Sequence, residues 1–252
     1  MPPPSHSPVT NANAQEAGAC AGDVHVLSRV FLQQGGIAAL IAREAPTQRL
    51  LTDTERAQSL HDTLAARPDG DAWVFGYGSL VWNPTIHSVE RRVARVTGWH
   101  RAFCLSVQAG RGTSANPGLV LGLDCGGECT GVAYRLDEAL LHAELELLWR
   151  REMVSGSYVP CWLDAFDGDG NRFGSVLAFT MNTGCEQYAG HLSGQDVIQR
   201  LATATGALGS AADYLFRTCA GLRLCGIVDP ELERLSADVS ALQAQLQAAG
   251  VA

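Results

Sequence analysis

The sequence predicts an α+β domain built on a curved sheet or small β-barrel, and two observations carry that expectation. Between Trp73 and Met181, short runs rich in Val, Phe, Tyr, Trp and Leu are separated by Gly, Asp and Asn, as in strands joined by turns. After Ser193 the spacing of apolar residues becomes helical and stays so almost to the end of the chain. Strands first and helices later argue against a doubly wound parallel sheet, in which the two alternate. The chain has 252 residues and is 46% hydrophobic, enough for one substantial core, so a single domain with a terminal extension is expected.

The elements follow in order. Residues 1–22 are rich in Pro, Ser, Asn, Ala and Gly without an apolar period and are expected to form a disordered tail. A helical flank is expected over 23–70, with a helix at about 54–67 capped by Thr52 or Asp53 and stopped by Pro68-Asp69-Gly70. The main domain, 71–252, then begins. Its strands are expected at 73–77, 90–97, 101–107, 119–123, 129–135, 158–166 and 173–181, with a strong helix at about 137–152 between the fifth and sixth. Asp167-Gly168-Asp169-Gly170-Asn171 imitates the start of a calcium loop, but Arg172 and Ala178 stand where glycine and a bidentate glutamate belong. A hairpin turn is the better reading. Helices near 194–205, 209–222 and 230–248 complete the chain.

Composition excludes several chemistries. All 18 basic side chains are arginine. Without lysine there is no Walker-A phosphate loop, Schiff-base catalysis or covalent pyridoxal phosphate. A net charge of -8 and a pI near 5.3 speak against nucleic-acid surfaces and polybasic membrane patches, leaving a small molecule as the expected ligand. No run reaches the ~18 apolar residues of a membrane span, and Met1-Pro2-Pro3-Pro4 does not open a secretory signal. A reducing compartment, the cytoplasm, is therefore expected. Most of the eight cysteines then read as small buried hydrophobes, Cys104 among them. Cys125 and Cys129 lack the further ligands of a zinc site, and the seven histidines form no metal-binding pair.

Two places carry chemistry. In the first, the apolar run from Trp73 meets Gly76 and Gly78, which permit a sharp turn and leave backbone N–H groups open to a ligand; an ordinary strand-ending turn explains them as well. Val81 replaces the third glycine of a dinucleotide fingerprint, and Asn83-Pro84 opposes a helix there. A nucleophile elbow at Ser79 would need glycine at positions 77 and 81. In the second, Leu141, Leu145 and Leu148 mark the apolar stripe of the 137–152 helix, and Glu152 falls on that stripe. Glu144 lies toward its flank and Glu146 well off it. Burial and the negative helix end both raise the pKa of Glu152, as suits a general base, unless Arg150 or Arg151 pairs with it and pulls the pKa back.

Six ordered motifs now matter together: FGYGSLVWNP (75–84), GWHRAFCL (98–105), AGRGT (109–113), TGVAYRL (130–136), LLWRREM (147–153) and YLF (214–216). Over about residues 54–240 the chain closely resembles the bacterial branch of the ChaC family. The resemblance implies a γ-glutamylcyclotransferase-like fold, a small mixed β-barrel with flanking helices, and cleavage of glutathione to 5-oxoproline and cysteinylglycine without metal or cofactor. It implies that Tyr77, Gly78, Ser79 and Leu80 hold the γ-glutamyl part, that Glu152 matches the catalytic glutamate, and that Arg111 and Tyr214 are further substrate contacts. Gly110 stands where eukaryotic members carry a histidine. As general acid/base, Glu152 would take a proton from the substrate amine and return one to the leaving nitrogen. A monomer is the working expectation. Two alternatives stay open: a non-catalytic, cation-transport-associated regulator that binds a small acidic ligand, and a hydrolase that uses Ser79.

Overall fold

The computed structural model describes residues 27–250, so the expected tail at 1–22 lies outside the described residues. Three helices come first: α1 (Arg29–Gln33), α2 (Gly36–Glu44) and α3 (Asp53–Ala65). Thr52 caps α3 in a reciprocal box, its hydroxyl accepting from Glu55 N at 3.2 Å while its own N–H donates to Glu55 Oε2 at 2.8 Å. Thr52→Ala is expected to remove about 1 kcal/mol of stability. Thermal unfolding should then occur about 2–4 °C lower.

The barrel consists of β1 (Trp73–Gly76), β2 (Glu90–Val107), β3 (Gly118–Arg135), β4 (Tyr158–Phe166) and β5 (Arg172–Met181). It closes in the order β1-β3-β2-β4-β5, with β5 returning to β1 in parallel. Closure removes free sheet edges and surrounds a core that includes Phe75, Leu121, Leu123, Leu177 and Phe179. β4 and β5 are joined by the expected hairpin, where Asp167 N donates to Asn171 O at 2.9 Å.

Several expected boundaries are corrected. The segments 90–97 and 101–107 form one strand, as do 119–123 and 129–135. At the join, Thr97 faces Glu128 and Trp99 faces Cys125, so Gly126 and Gly127 oppose the single Gly98. This is a bulge that bends the ladder without ending it, and all three glycines have φ between 70° and 97°. The first strand stops at Gly76, and a one-turn helix, α4 (Ser79–Trp82), forms where Pro84 argued against one. Proline restricts the residue before it, and α4 ends before that residue, Asn83, is reached. The central helix, α5 (Leu141–Glu152), starts four residues later than expected because the Asp137 side chain accepts from Ala139 N at 2.9 Å and holds a turn.

The chain continues with α6 (Gly194–Thr203), the two-residue strands β6 (Thr205–Gly206) and β7 (Gly209–Ser210), α7 (Ala211–Leu224), which packs on α4, and α8 (Pro230–Ala248). No helix among the described residues is long and apolar enough to cross a membrane. Of the seven described cysteines, Cys104, Cys129 and Cys219 are buried, three are half-buried and Cys125 is exposed, so the expectation that most are core residues is corrected. Cys125 is outward because it sits at the bulge. Cys104 is core, its thiol pushed up to about 12 chiefly by burial.

Candidate active site

Helix α5 carries three leucines, Leu141, Leu145 and Leu148, into the core, and the same stripe brings its last residue, Glu152, under the barrel mouth. The Glu152 side chain is 15% exposed. Burial pushes its carboxyl above the usual value, and Arg151 only partly counters this through its charge and a hydrogen bond. Of the two neighbouring arginines, Arg151 is the partner, with Nε 2.9 Å from Glu152 Oε1. Arg150 turns outward and donates to Gln33 O at 3.0 Å.

Glu144, two turns earlier on α5, shows what the ordinary fate of a buried glutamate looks like. Burial raises its carboxyl too, but a two-pronged bond from Arg29 (2.6 and 2.9 Å) and the His87 N–H at 2.9 Å outweigh it and bring it below the normal range. One helix thus holds one carboxylate whose ion pair favours the charged form and one whose burial favours uptake of a proton. Environments that push two carboxylates apart in this way separate structural from proton-carrying roles.

Arg151 does more than pair with Glu152. Its side chain is 2% exposed. It donates to Asn83 O at 2.6 Å, Thr85 Oγ1 at 2.9 Å and Ser79 Oγ at 2.8 Å. The arginine therefore fastens both ends of α4 to the end of α5, which sets the turn at Tyr77 and Gly78 against Glu152. Gly78 is required by space: a Cβ there would stand 2.8 Å from the Tyr214 hydroxyl and 3.5 Å from Leu121 Cβ.

Three tyrosines complete the enclosure. Tyr77 donates to Phe179 O and Tyr158 to Leu121 O, each at 2.7 Å, and Tyr214 stands edge-on to Trp82 and Phe103. Burial raises all three phenols, with the Glu152 charge adding to the effect. They hold their protons, Tyr77 and Tyr158 committing theirs to backbone carbonyls, while Glu152 is left as the group able to accept one.

Two joined cavities result. A tight recess is lined by Tyr77, Gly78, Ser79, Leu80, Glu152 and Tyr158. It opens into a cleft of about 480 Å³ that also meets Ser79, Glu152 and Tyr158 and reaches Arg111 and Tyr214. Arg111 is held by Asp213 Oδ2 at 3.1 Å and Ser210 O at 3.2 Å. Each of the seven residues singled out in the sequence therefore lines one or both of two cavities that share Ser79, Glu152 and Tyr158. Sequence reasoning missed Tyr158, Arg151 as a clamp, and Arg217, which stands over Trp82 at 5.7 Å and pairs with Asp213. Tyr158 had one signal, its position six residues after Glu152 at the start of a strand. Among the described residues no histidine lines either cavity, and Ser79 Oγ accepts from the Arg151 guanidinium, so neither cavity offers the serine–histidine pair of a hydrolase.

Comparison with known proteins agrees with this arrangement. An Escherichia coli (strain K12) protein named glutathione-specific gamma-glutamylcyclotransferase is 45% identical over 192 residues, covering 76% of this chain and 83% of that protein. The Homo sapiens protein named glutathione-specific gamma-glutamylcyclotransferase 1 is 31% identical over 186 residues, 71% of this chain and 83% of its own. A yeast crystal structure titled as a γ-glutamyl cyclotransferase specific to glutathione superposes with a TM-score of 0.63 at 21% identity, covering 69% of this chain and 97% of that one. At that identity it establishes the fold, which is γ-glutamylcyclotransferase-like. The profile described as ChaC-like protein matches residues 72–242, and with these relatives it places the chain in the ChaC-like family.

Proposed function

We propose that the protein is a glutathione-degrading γ-glutamylcyclotransferase, a lyase that releases 5-oxoproline and cysteinylglycine, with Glu152 as its proton carrier. The single observation that supports this most is the buried, raised carboxyl of Glu152 at the junction of a tight polar recess and an open cleft. The substrate is taken from the names of the E. coli and human relatives.

Glu152 first accepts a proton from the substrate's α-ammonium. The freed amine attacks its own γ-carbonyl carbon and closes a five-membered ring. Glu152 gives the proton it took to the cysteinyl nitrogen as the bond to it breaks and, ionised again, takes up the second proton of the ring nitrogen, which passes to the departing amine so that cysteinylglycine leaves as an ammonium. Holding the chain folded makes the attack intramolecular, which lowers its barrier by several kcal/mol. Tyr77, Gly78, Ser79 and Leu80 hold the γ-glutamyl part, their backbone N–H groups facing a carboxylate or the developing oxyanion. Arg111 and Tyr214 contact the rest of the substrate. On this reading the reaction requires no metal or cofactor, and the protein works as a monomer in the cytoplasm.

The sign of the pH dependence follows. Glu152 works as a base only when ionised, and it becomes protonated as pH falls through its raised pKa. kcat for 5-oxoproline release from glutathione is expected to fall with unit slope on the acid side, with a midpoint above the ordinary 4.5 of a glutamate. A rate that stays flat down to pH 4.5, in a protein still folded there, would remove Glu152 from the reaction.

A further inference from the structure

The family profile begins at residue 72, yet one wall of the cleft comes from upstream of it. Leu27, Ile37, Leu40 and Ile41 face the cleft, the last three at i, i+3 and i+4 on α2. This N-terminal arm is bound to the parts that carry the site. Arg29 grips Glu144 on α5, Arg150 of α5 reaches Gln33 O, and Asn83 Nδ2 beside α4 donates to Leu27 O at 3.0 Å. At the far end Gly110 N donates to Glu44 Oε2 at 3.0 Å. Leu40 and Leu208 both approach Gly110, so the arm and the β6–β7 turn meet next to Arg111.

We propose that this arm is a binding site for the side chain of the residue that follows the γ-glutamyl group, and that it recognises an apolar side chain by volume, whether or not it contains sulfur. The inference rests on the cyclotransferase reading. Glu152 lines both the recess and the cleft, so a scissile bond beside it puts the γ-glutamyl part toward the recess and the leaving dipeptide in the outer cleft. There the dipeptide lies between two unlike walls. Arg111 and Arg217 offer positive charge to its terminal carboxylate, and the arm offers aliphatic side chains. Among the described residues no cysteine lines the cleft, so a thiol meets the hydrocarbon of the arm and is favoured over a hydroxyl because it loses less on leaving water.

The test compares three tripeptides: glutathione, γ-glutamyl-2-aminobutyryl-glycine, in which an ethyl side chain replaces CH2SH, and γ-glutamyl-seryl-glycine. With the intact protein, kcat/KM for the aminobutyryl peptide is expected within about threefold of glutathione, and that for the seryl peptide about tenfold lower, through KM. Ile41→Asp is expected to erase the preference over serine, chiefly through a higher KM for glutathione. Ile37→Asp is a second, independent probe should the first variant fold poorly. An aminobutyryl peptide as poor as the seryl one, or an unchanged preference in both folded variants, would overturn the proposal. Glutathione is the internal control: no 5-oxoproline from it would strike the cyclotransferase reading itself, whereas good turnover of glutathione without the preference would strike the arm alone.

Discussion

Arg151→Met is expected to destabilise the protein by about 3–5 kcal/mol near pH 8, the usual cost of removing one partner from a buried ion pair. The substitution strips hydrogen bonds from Asn83 O, Thr85 Oγ1 and Ser79 Oγ and leaves Glu152 without its cation. The penalty depends on pH with a definite sign. Arg151 is what lowers the Glu152 carboxyl against burial, so without it the folded-state pKa lies still further above 4.5. A group whose folded pKa is raised binds its proton more tightly in the native state. The cost is then fullest above that pKa and relieved as pH falls through it. Urea unfolding of the variant and the parent at pH 8 and pH 5.5 measures this, and the gap between them should narrow at the lower pH. The acid limb of kcat in the variant should also move to higher pH.

Glu152→Gln has the largest expected effect on chemistry. The amide keeps the size and can still receive a hydrogen bond from Arg151 through its carbonyl oxygen, but it cannot take up a proton. General acid–base groups commonly contribute 10²–10⁴-fold, and a loss of about a thousandfold in 5-oxoproline release is expected. Binding should survive, because Tyr77, Gly78, Ser79, Leu80, Arg111 and Tyr214 are untouched. Calorimetric titration with glutathione measures binding separately from turnover. The variant leaves the buried Arg151 guanidinium without its anion and is expected to melt lower than the parent, but by less than Arg151→Met, because the guanidinium keeps its bonds to Asn83 O, Thr85 Oγ1 and Ser79 Oγ.

How much of this was legible in the sequence varied with the range of the interactions involved. The α5 stripe was readable because Leu141, Leu145 and Leu148 repeat at helical spacing, and that period alone brings Glu152 to the core. The strands were found but cut too short. Gly98, Gly126 and Gly127 look like turns in one dimension, and only the pairing of β2 with β3 shows them to be one bulge. Barrel closure through the parallel contact of β1 with β5 is long-range and has no local signal. At the site, the partner of Glu152 had two candidates one residue apart. A step of about 100° around a helix sends Arg151 inward and Arg150 outward, but which of them faces α4 depends on where α4 packs. The wall formed by α2 had its i, i+3, i+4 pattern in plain view, but nothing local tells which surface such a stripe will cover.

The central claim is that the γ-glutamyl amine itself attacks, with Glu152 as the base. It is tested most directly by incubating the protein with glutathione in water enriched in oxygen-18 and identifying the products by mass spectrometry. Intramolecular attack predicts equal amounts of 5-oxoproline and cysteinylglycine, neither carrying the heavy isotope, and almost none of either from Glu152→Gln. Free glutamate labelled with oxygen-18, or 5-oxoproline formed at the parent rate by Glu152→Gln, would contradict the account.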